Sequence, residues 1–173
     1  MNSTALAHFA VTAVVVAILA PVAAFAQERP RPVLEFAAGV LQFPDDGDIV
    51  GEGFIGGNAR IYVSPRVSLG PEVSFVGGDN HSHLILTGNV TWDFRQPLNE
   101  PAVVPYAVLG GGLFQTREQL FVGGTFTSSE GAYTAGGGVR FRASPNVTAG
   151  VEARMGWEAH IRLNATIGVR LGG

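Results

Sequence analysis

Two groups of side chains in this sequence have the residue types of a metal site. His81 and His83 are separated by one residue and follow Asp79 and Asn80. Alternate residues of a strand point to the same side, and imidazole nitrogens bind divalent transition metals. The pair is therefore a candidate ligand set, although polar loop residues without a bound ion have the same pattern. We adopt the loop interpretation and expect no metal site.

The second group is acidic. Asp45, Asp46 and Asp48 lie close together and Glu52 follows them. Carboxylate oxygens suit calcium, but the twelve-residue ligand spacing of an EF-hand is missing. We expect a solvated acidic loop.

Other chemistries are excluded by composition. The chain has no cysteine, so it has no disulfide, thiol nucleophile or thiolate metal site. Two runs of three glycines, Gly110–Gly112 and Gly136–Gly138, lack the lysine and the following helix of a phosphate-binding loop. The net charge of −3 gives no reason to expect a nucleic-acid partner. We expect no cofactor and no enzymatic activity.

The first 26 residues predict a cleavable signal peptide. An apolar run from Val11 to Ala24 ends in the small-x-small pattern that a signal peptidase reads, with Ala26 as its last residue. The run is shorter than the roughly 20 residues of a spanning helix, which disfavours the alternative of an N-terminal membrane anchor. We expect Sec-dependent export and one mature domain, residues 27–173.

The mature part predicts eight β-strands. Apolar and polar residues alternate with a period of two, and no stretch has helical periodicity. The eight segments are Val33–Leu41, Phe54–Val63, Val67–Phe75, Leu84–Phe94, Val103–Gln115, Tyr133–Arg142, Val147–Trp157 and Ile161–Leu171. Tight turns at 64–66 and 143–146 alternate with longer connections at 42–53, 77–82 and after 115, as in transmembrane barrels.

The fifth segment is ambiguous by itself, because apolar residues fall on both of its faces. Gly123 and Gly124 favour a two-residue hairpin turn. That turn places Phe114 opposite Tyr133, and it also places Tyr106 opposite Phe141 on the same apolar face.

The aromatic residues of the apolar face predict that this face points outward. They form two groups at opposite ends of the strands with aliphatic residues between them, as a bilayer with two interfaces selects. The expected girdle residues are Phe75, Trp92, Phe94, Tyr106, Phe114, Tyr133, Phe141 and Trp157. Only 14% of the residues are charged, against about a quarter in soluble domains. The alternative is a secreted or periplasmic lipocalin-like barrel that carries an apolar ligand.

The polar face then lines the lumen. Eight strands enclose only enough space for side chains, so opposite charges there predict a paired network that plugs the lumen. The expected members are Glu35, Arg60, Glu72, Asp93, Arg140, Arg142, Glu152, Arg154, Arg162 and Arg170. We expect Glu35 and Arg170 to pair. A narrow ion-conducting pore is a further alternative.

From Val33 onward this pattern resembles the small outer-membrane β-barrels, the OmpX-like proteins and the OmpA transmembrane domains. Thr166, Gly168 and Leu171 match their C-terminal assembly signal, whereas Gly173 stands where the family has an aromatic residue. The resemblance implies an eight-stranded antiparallel up-and-down barrel in the bacterial outer membrane. It also implies a monomer surrounded by lipid and lipopolysaccharide and inserted by the barrel-assembly machinery. Some relatives modify lipid A through a His, a Ser and a carboxylate, but no acidic partner of Ser82 is identifiable here.

One segment is a candidate interaction site. Leu120, Phe121, Val122 and Phe126 surround the predicted Gly-Gly turn and form an apolar hairpin. Its exposed edge can recruit another chain by strand addition, although a passive extension has the same pattern. We expect a structural or adhesion-type surface-interaction role.

Overall fold

The computed structural model of the 173-residue chain describes residues 29–45, 48–78, 81–119, 124–156 and 160–172. The predicted signal peptide and residues 120–122 and 157 lie outside the described residues. The described chain forms β1 (Val33–Asp45), β2 (Asp48–Tyr62), β3 (Val67–Gly77), β4 (His81–Asp93), β5 (Val103–Gln119), β6 (Thr125–Arg142), β7 (Val147–Gly156) and β8 (Ile161–Arg170).

The eight strands close into one antiparallel barrel. Each strand pairs with the next along the chain, and β1 pairs with β8 from Val33 opposite Arg170 to Gln42 opposite Ile161. Every described strand thus has a neighbour on both sides, and the barrel has no edge strand. No helix in the described part of the chain has the length and apolarity needed to cross a membrane. The predicted eight-stranded up-and-down barrel is confirmed.

The two ends of the barrel differ in their connections. Residues 63–66 and 143–146 form tight turns, closed by hydrogen bonds such as Val63 N–H to the Val67 carbonyl (2.9 Å). The link between β4 and β5 contains a single 3₁₀ turn, Pro97–Asn99, and lies at the same end. We call this the short-turn end, and the opposite end, where β1–β2, β3–β4 and β5–β6 connect, the hairpin end.

At the hairpin end, the strands extend farther than the sequence predicts. Residues 42–45 and 48–53, predicted as part of a loop, belong to β1 and β2, which pair as far as Asp45 opposite Asp48. Likewise β5 and β6 pair as far as Gln119 opposite Thr125. Continued backbone pairing satisfies the N–H and C=O groups of these polar stretches, a gain that side-chain pattern does not reveal.

Side chains sort by face as the alternation predicts. Phe36 is 65% and Trp92 is 58% exposed on the outer surface, whereas Glu35 and Arg140 are both 4% exposed in the interior. The predicted orientation, apolar outward and charged inward, is confirmed. We call the outward apolar side chains the apolar belt. Its aromatic members from the predicted girdles are Phe75, Trp92, Phe94, Tyr133 and Phe141.

The prediction for two girdle residues is wrong. Tyr106 and Phe114 are 3% and 4% exposed and point into the barrel. In the structure Tyr106 pairs with Gly138 and Phe114 with Glu130, a shift of three residues from the predicted register. The connection between Gln119 and Thr125 contains five residues instead of two. An odd shift moves every side chain of a strand to the other face.

Glycines in β5 and β6 allow neighbouring strands to approach closely. A Cβ added to Gly112 would lie 1.8 Å from the Leu86 carbonyl oxygen, and one added to Gly136 would lie 2.2 Å from that of Ala153. These are distances that real side chains do not tolerate. The two triple-glycine runs are therefore strand elements required by packing, consistent with the strong coiling of a small barrel.

This packing predicts a difference between two glycine substitutions in the same hairpin. Gly112→Ala should lower the free energy of unfolding by about 1–3 kcal/mol, because the methyl group overpacks the β4–β5 interface. Gly131→Ala is the matched control, since no atom lies within 4 Å of its added Cβ. Urea unfolding of the refolded barrels in detergent measures both. Equal losses would show that close strand approach at Gly112 is not required.

Candidate functional site

The middle of the barrel interior contains eight buried charges, four carboxylates and four guanidinium groups. We call them the charge network: Glu35, Glu72, Asp93, Glu152, Arg60, Arg140, Arg154 and Arg162. Burial of a charge is costly unless it is paired and hydrogen-bonded. The geometry of the pairs therefore decides whether the interior is stable.

Four members of the charge network form a closed cycle in which carboxylates and guanidinium groups alternate. Arg154 contacts Glu72 at 2.9 Å and Glu152 at 2.7 Å. Arg162 contacts the same two carboxylates at 2.5 Å and 3.2 Å. Each guanidinium group thus bridges both acids, and each acid meets both guanidinium groups. The cycle cross-links three strands, β3, β7 and β8, through the lumen.

The other half surrounds Glu35 and Asp93. The Arg60 Nε lies 3.1 Å from Glu35 Oε2, and Arg140 contacts Asp93 at 2.6 Å and Glu35 at 3.8 Å. The Tyr62 hydroxyl donates to Asp93 Oδ2 at 2.9 Å and accepts from Arg60 at 3.2 Å. This half joins β1, β2, β4 and β6 across the barrel.

Tyr106 connects the two halves. Its hydroxyl donates to Glu152 Oε2 at 2.9 Å, and the Arg140 guanidinium group lies 3.6 Å from the centre of its ring. That distance is in the range of a cation–π contact. The sequence does not reveal this role, because the predicted register had turned Tyr106 toward the outside.

Arg142 and Arg170 do not join the charge network, contrary to the prediction. They lie at the short-turn end, where Glu100 contacts Arg142 at 2.7 Å and Arg170 at 3.9 Å. The expected pair of Glu35 and Arg170 is absent among the described contacts. Glu35 lies opposite Gly168 in β8, two residues farther into the barrel than Arg170, and its cationic neighbours are Arg60 and Arg140. The charge network thus has four acids and four arginines and no net formal charge.

Little space remains around the charge network. A cavity of about 30 Å³ lies at the short-turn end near Pro97 and Arg142. A second one, of about 10 Å³, lies between Glu35 and Arg154. A void of roughly 10–15 Å³ holds a single water molecule. Each of these two cavities thus has room for at most a few water molecules.

An apolar layer separates the charge network from the hairpin end. It comprises Leu41, Phe54, Val76, Ile85, Phe114 and Ala132, all of them buried. The Arg162 guanidinium group lies 5.2 Å from the centre of the Phe54 ring, where the two zones meet. Sequence analysis missed this layer, although continuing the inward alternation past Ser74 to Val76 would have indicated it.

Glu52, His81 and His83 form a cluster above the apolar layer, which we call the histidine cluster. Nε2 of His81 contacts Glu52 Oε1, and Nε2 of His83 lies 3.7 Å from Glu52 Oε2. The three ligand-type atoms lie within 4.8 Å of one another. The sequence placed these residues in two separate candidate sites, and the barrel brings them together.

The register of three strands positions this cluster. Glu52 in β2 lies across β3 from His81 in β4, and Gly78 follows β3 between them. A Cβ at Gly78 would lie 2.6 Å from Nε2 of His81 and 2.9 Å from Oε1 of Glu52. The glycine thus leaves the space in which the imidazole and the carboxylate meet.

His83 is held on both sides. Its Nδ1 forms a 3.0 Å hydrogen bond with Thr116 Oγ1, and its ring lies 5.0 Å from that of Phe114. The outward residues at this level of β3 and β4, Gly77 and Ser82, lie beyond the last outward apolar side chains of these two strands, Phe75 and Leu84. Burial lowers the pKa of the His83 imidazole, against an opposing effect of the Glu52 carboxylate. With Nδ1 engaged by Thr116, Nε2 is the ring nitrogen on the side of Glu52.

The fold separates the aspartates of the acidic stretch from Glu52. Asp45 and Asp48 are paired backbone positions at the tip of the β1–β2 hairpin, and Asp46 lies outside the described residues. Glu52 is 8% exposed and points inward, away from any solvated loop. The expected solvated acidic loop is therefore wrong for Glu52.

The cycle of charges predicts a large effect of removing one arginine. Arg162→Ala should lower the free energy of unfolding by about 3–5 kcal/mol, because Glu72 and Glu152 each lose a buried partner. Arg170→Ala should cost about 1 kcal/mol, since Arg170 donates one hydrogen bond to the Pro145 carbonyl at the short-turn end. Denaturant unfolding in micelles compares the two, and equal losses would contradict the buried cycle.

No protein-family model matches the chain. No curated protein matches it either.

Solved structures do match the barrel. Neisserial surface protein A (NspA) aligns with a TM-score of 0.69 and 12% identity over 81% of this chain and 97% of its own. The N-terminal β-barrel domain of Pseudomonas aeruginosa OprF aligns with a TM-score of 0.64 and 13% identity over 83% and 100%. Ail, the attachment invasion locus protein of Yersinia pestis, in complex with the heparin analogue sucrose octasulfate, aligns with a TM-score of 0.59 and 11% identity over 83% and 98%. The chain therefore has the fold of the small eight-stranded outer-membrane β-barrels that its sequence pattern resembles.

Proposed function

We propose that this protein is a bacterial outer-membrane barrel, exported through the Sec pathway, with a sealed lumen and a structural or surface-interaction role. The observation that carries the proposal is that apolar side chains face outward and charged side chains face inward, the reverse of a soluble barrel. The outer surface is apolar and the enclosed interior contains the balanced charge network. The proposed surroundings are membrane lipid and lipopolysaccharide, and the barrel-assembly machinery is the proposed assembly partner.

The apolar belt supports membrane insertion. Soluble monomers rarely expose a contiguous apolar patch of more than a few hundred square ångströms. Here large apolar side chains are exposed on all eight strands, among them Phe36, Ile55, Leu109, Val151 and Ile167. A closed barrel satisfies its backbone groups internally, as the hydrocarbon of a bilayer requires. Closure also leaves no strand edge for pairing in the described barrel wall, which favours a monomer.

The interior argues against the alternative of a soluble ligand carrier. Such a barrel needs a continuous apolar lining around a cavity, and its pockets hold about 300–1,000 Å³. The described interior has cavities of about 30 Å³ and 10 Å³, and its middle is lined by ionised side chains. The same filling disfavours the narrow-pore alternative.

The surface-interaction role rests on the β5–β6 hairpin. β5 and β6 have 17 and 18 residues, whereas β7 and β8 have 10 each. The hairpin therefore projects beyond the rest of the wall. Phe126, near its tip, is 54% exposed, and the predicted interaction residues Leu120, Phe121 and Val122 lie outside the described residues. We propose that this hairpin contacts a protein partner, a non-enzymatic role.

Membrane insertion predicts that arginine is tolerated at one end of the wall and not in its middle. Ile167→Arg, in the apolar belt of β8, should lower the free energy of unfolding in lipid vesicles by about 2–4 kcal/mol. Ile49→Arg, exposed near the tip of the β1–β2 hairpin, should cost about 1 kcal/mol or less, because the charge stays in water. Equal effects of the two arginines would contradict a bilayer around the belt.

The sealed lumen predicts that the inserted barrel does not conduct. Planar-bilayer recordings of the purified protein should show no stable conductance steps, because side chains fill an eight-stranded barrel. A 16-stranded porin recorded under the same conditions is the positive control. Heat-modifiable migration on gels verifies that the inserted protein is folded. Stable and reproducible conductance of the folded protein would contradict the seal.

A further inference from the structure

We infer that the histidine cluster is a binding site for a divalent transition-metal ion of the zinc class. The ligands are Nε2 of His81, Nε2 of His83 and a carboxylate oxygen of Glu52. This site is separate from the charge network, and it does not depend on the proposed role of the β5–β6 hairpin.

The geometry of the three ligand atoms suits such an ion. Zinc–nitrogen and zinc–oxygen bonds of about 2.0–2.2 Å place tetrahedral ligands about 3.3–3.6 Å apart. The three atoms already lie within 4.8 Å of one another. The widest pair thus has to close by at most about 1.5 Å.

The carboxylate of Glu52 lacks sufficient partners in its present surroundings. The side chain is 7% exposed, and its Oε2 has no hydrogen bond within the described residues. The His83 Nε2 at 3.7 Å is too distant to donate to it. A buried carboxylate is stable when paired or when it coordinates a metal. A divalent cation between Glu52 and His83 would satisfy the orphaned oxygen.

Two neighbours outside the ligand set prepare the site. When the Nδ1–H of His83 donates to Thr116 Oγ1, the lone pair of Nε2 faces Glu52. A hydrogen bond to the second imidazole nitrogen is the usual way in which proteins orient a metal-binding histidine. Gly78 supplies the space, because a methyl group there would lie within 3 Å of both His81 and Glu52.

The ligand set favours zinc and related ions over calcium. Calcium and magnesium prefer six or more oxygen ligands, whereas imidazole suits zinc, copper and nickel. Two nitrogens and one oxygen leave a fourth position. His81 is 35% exposed at the hairpin end, whereas His83 is 12% exposed. An ion therefore has a path from solvent, and a water molecule can complete its coordination.

Equilibrium dialysis of the refolded, tag-free mature barrel in detergent against zinc chloride tests this inference. We expect one bound zinc ion per chain and a higher thermal midpoint in the presence of zinc. His83→Ala should abolish stoichiometric binding, and Thr116→Val should weaken the affinity by about 10-fold while leaving all three ligands in place. Glu130→Gln, an exposed acid of β6 outside the cluster, is the matched control and should bind as the native chain does.

Heat-modifiable migration on gels verifies that each variant is folded. Gly78→Ala is a second test that keeps every ligand, and it should weaken zinc binding by filling the space between His81 and Glu52. A folded native barrel that binds no zinc overturns the inference, and the cluster is then only an ion pair. Binding of one zinc ion that is unchanged in both His83→Ala and Gly78→Ala overturns it as well.

Discussion

The pairing of opposite charges inside a closed ring of strands is the constraint on which the rest of the structure depends. An eight-stranded barrel encloses only side chains, so its interior has almost no water to solvate a charge. Arg154 and Arg162 each bridge Glu72 and Glu152, and the resulting cycle spans strands that are not neighbours in the wall. Removal of one arginine leaves two buried carboxylates with a single guanidinium group between them, an excess of buried charge that costs more than a pair contributes.

This constraint organises the barrel along its axis. At the short-turn end, Glu100 contacts two arginines at the solvent boundary. The neutral charge network follows, then the apolar layer, and finally the histidine cluster at the hairpin end. The apolar layer isolates the charges from the histidine cluster, so a ligand at the hairpin end need not disturb the network. The charge network and the histidine cluster therefore lie at different heights along the axis of one small barrel.

The alternation of apolar and polar residues predicted the fold, because the face to which a residue points does not depend on where its strand begins or ends. In β8, Arg162 points inward and Ile167 outward, as their positions in the sequence indicate. Register is different, since it depends on the length of a connection that side-chain pattern does not determine. Five residues in place of two turned Tyr106 inward. The histidine cluster was unpredictable for the same reason: Glu52 meets His81 only through the pairing of three strands and the absence of a side chain at Gly78.

The most direct test of the central claim is a scan of solvent and lipid exposure along β8. The chain has no cysteine, so single cysteines at positions 163 to 167 can each be spin-labelled in the barrel reconstituted into lipid vesicles. Oxygen, which concentrates in lipid, should reach labels at 163, 165 and 167 and should not reach those at 164 and 166. A reversed alternation, or equal accessibility at all five positions, would contradict an apolar exterior around a charged interior.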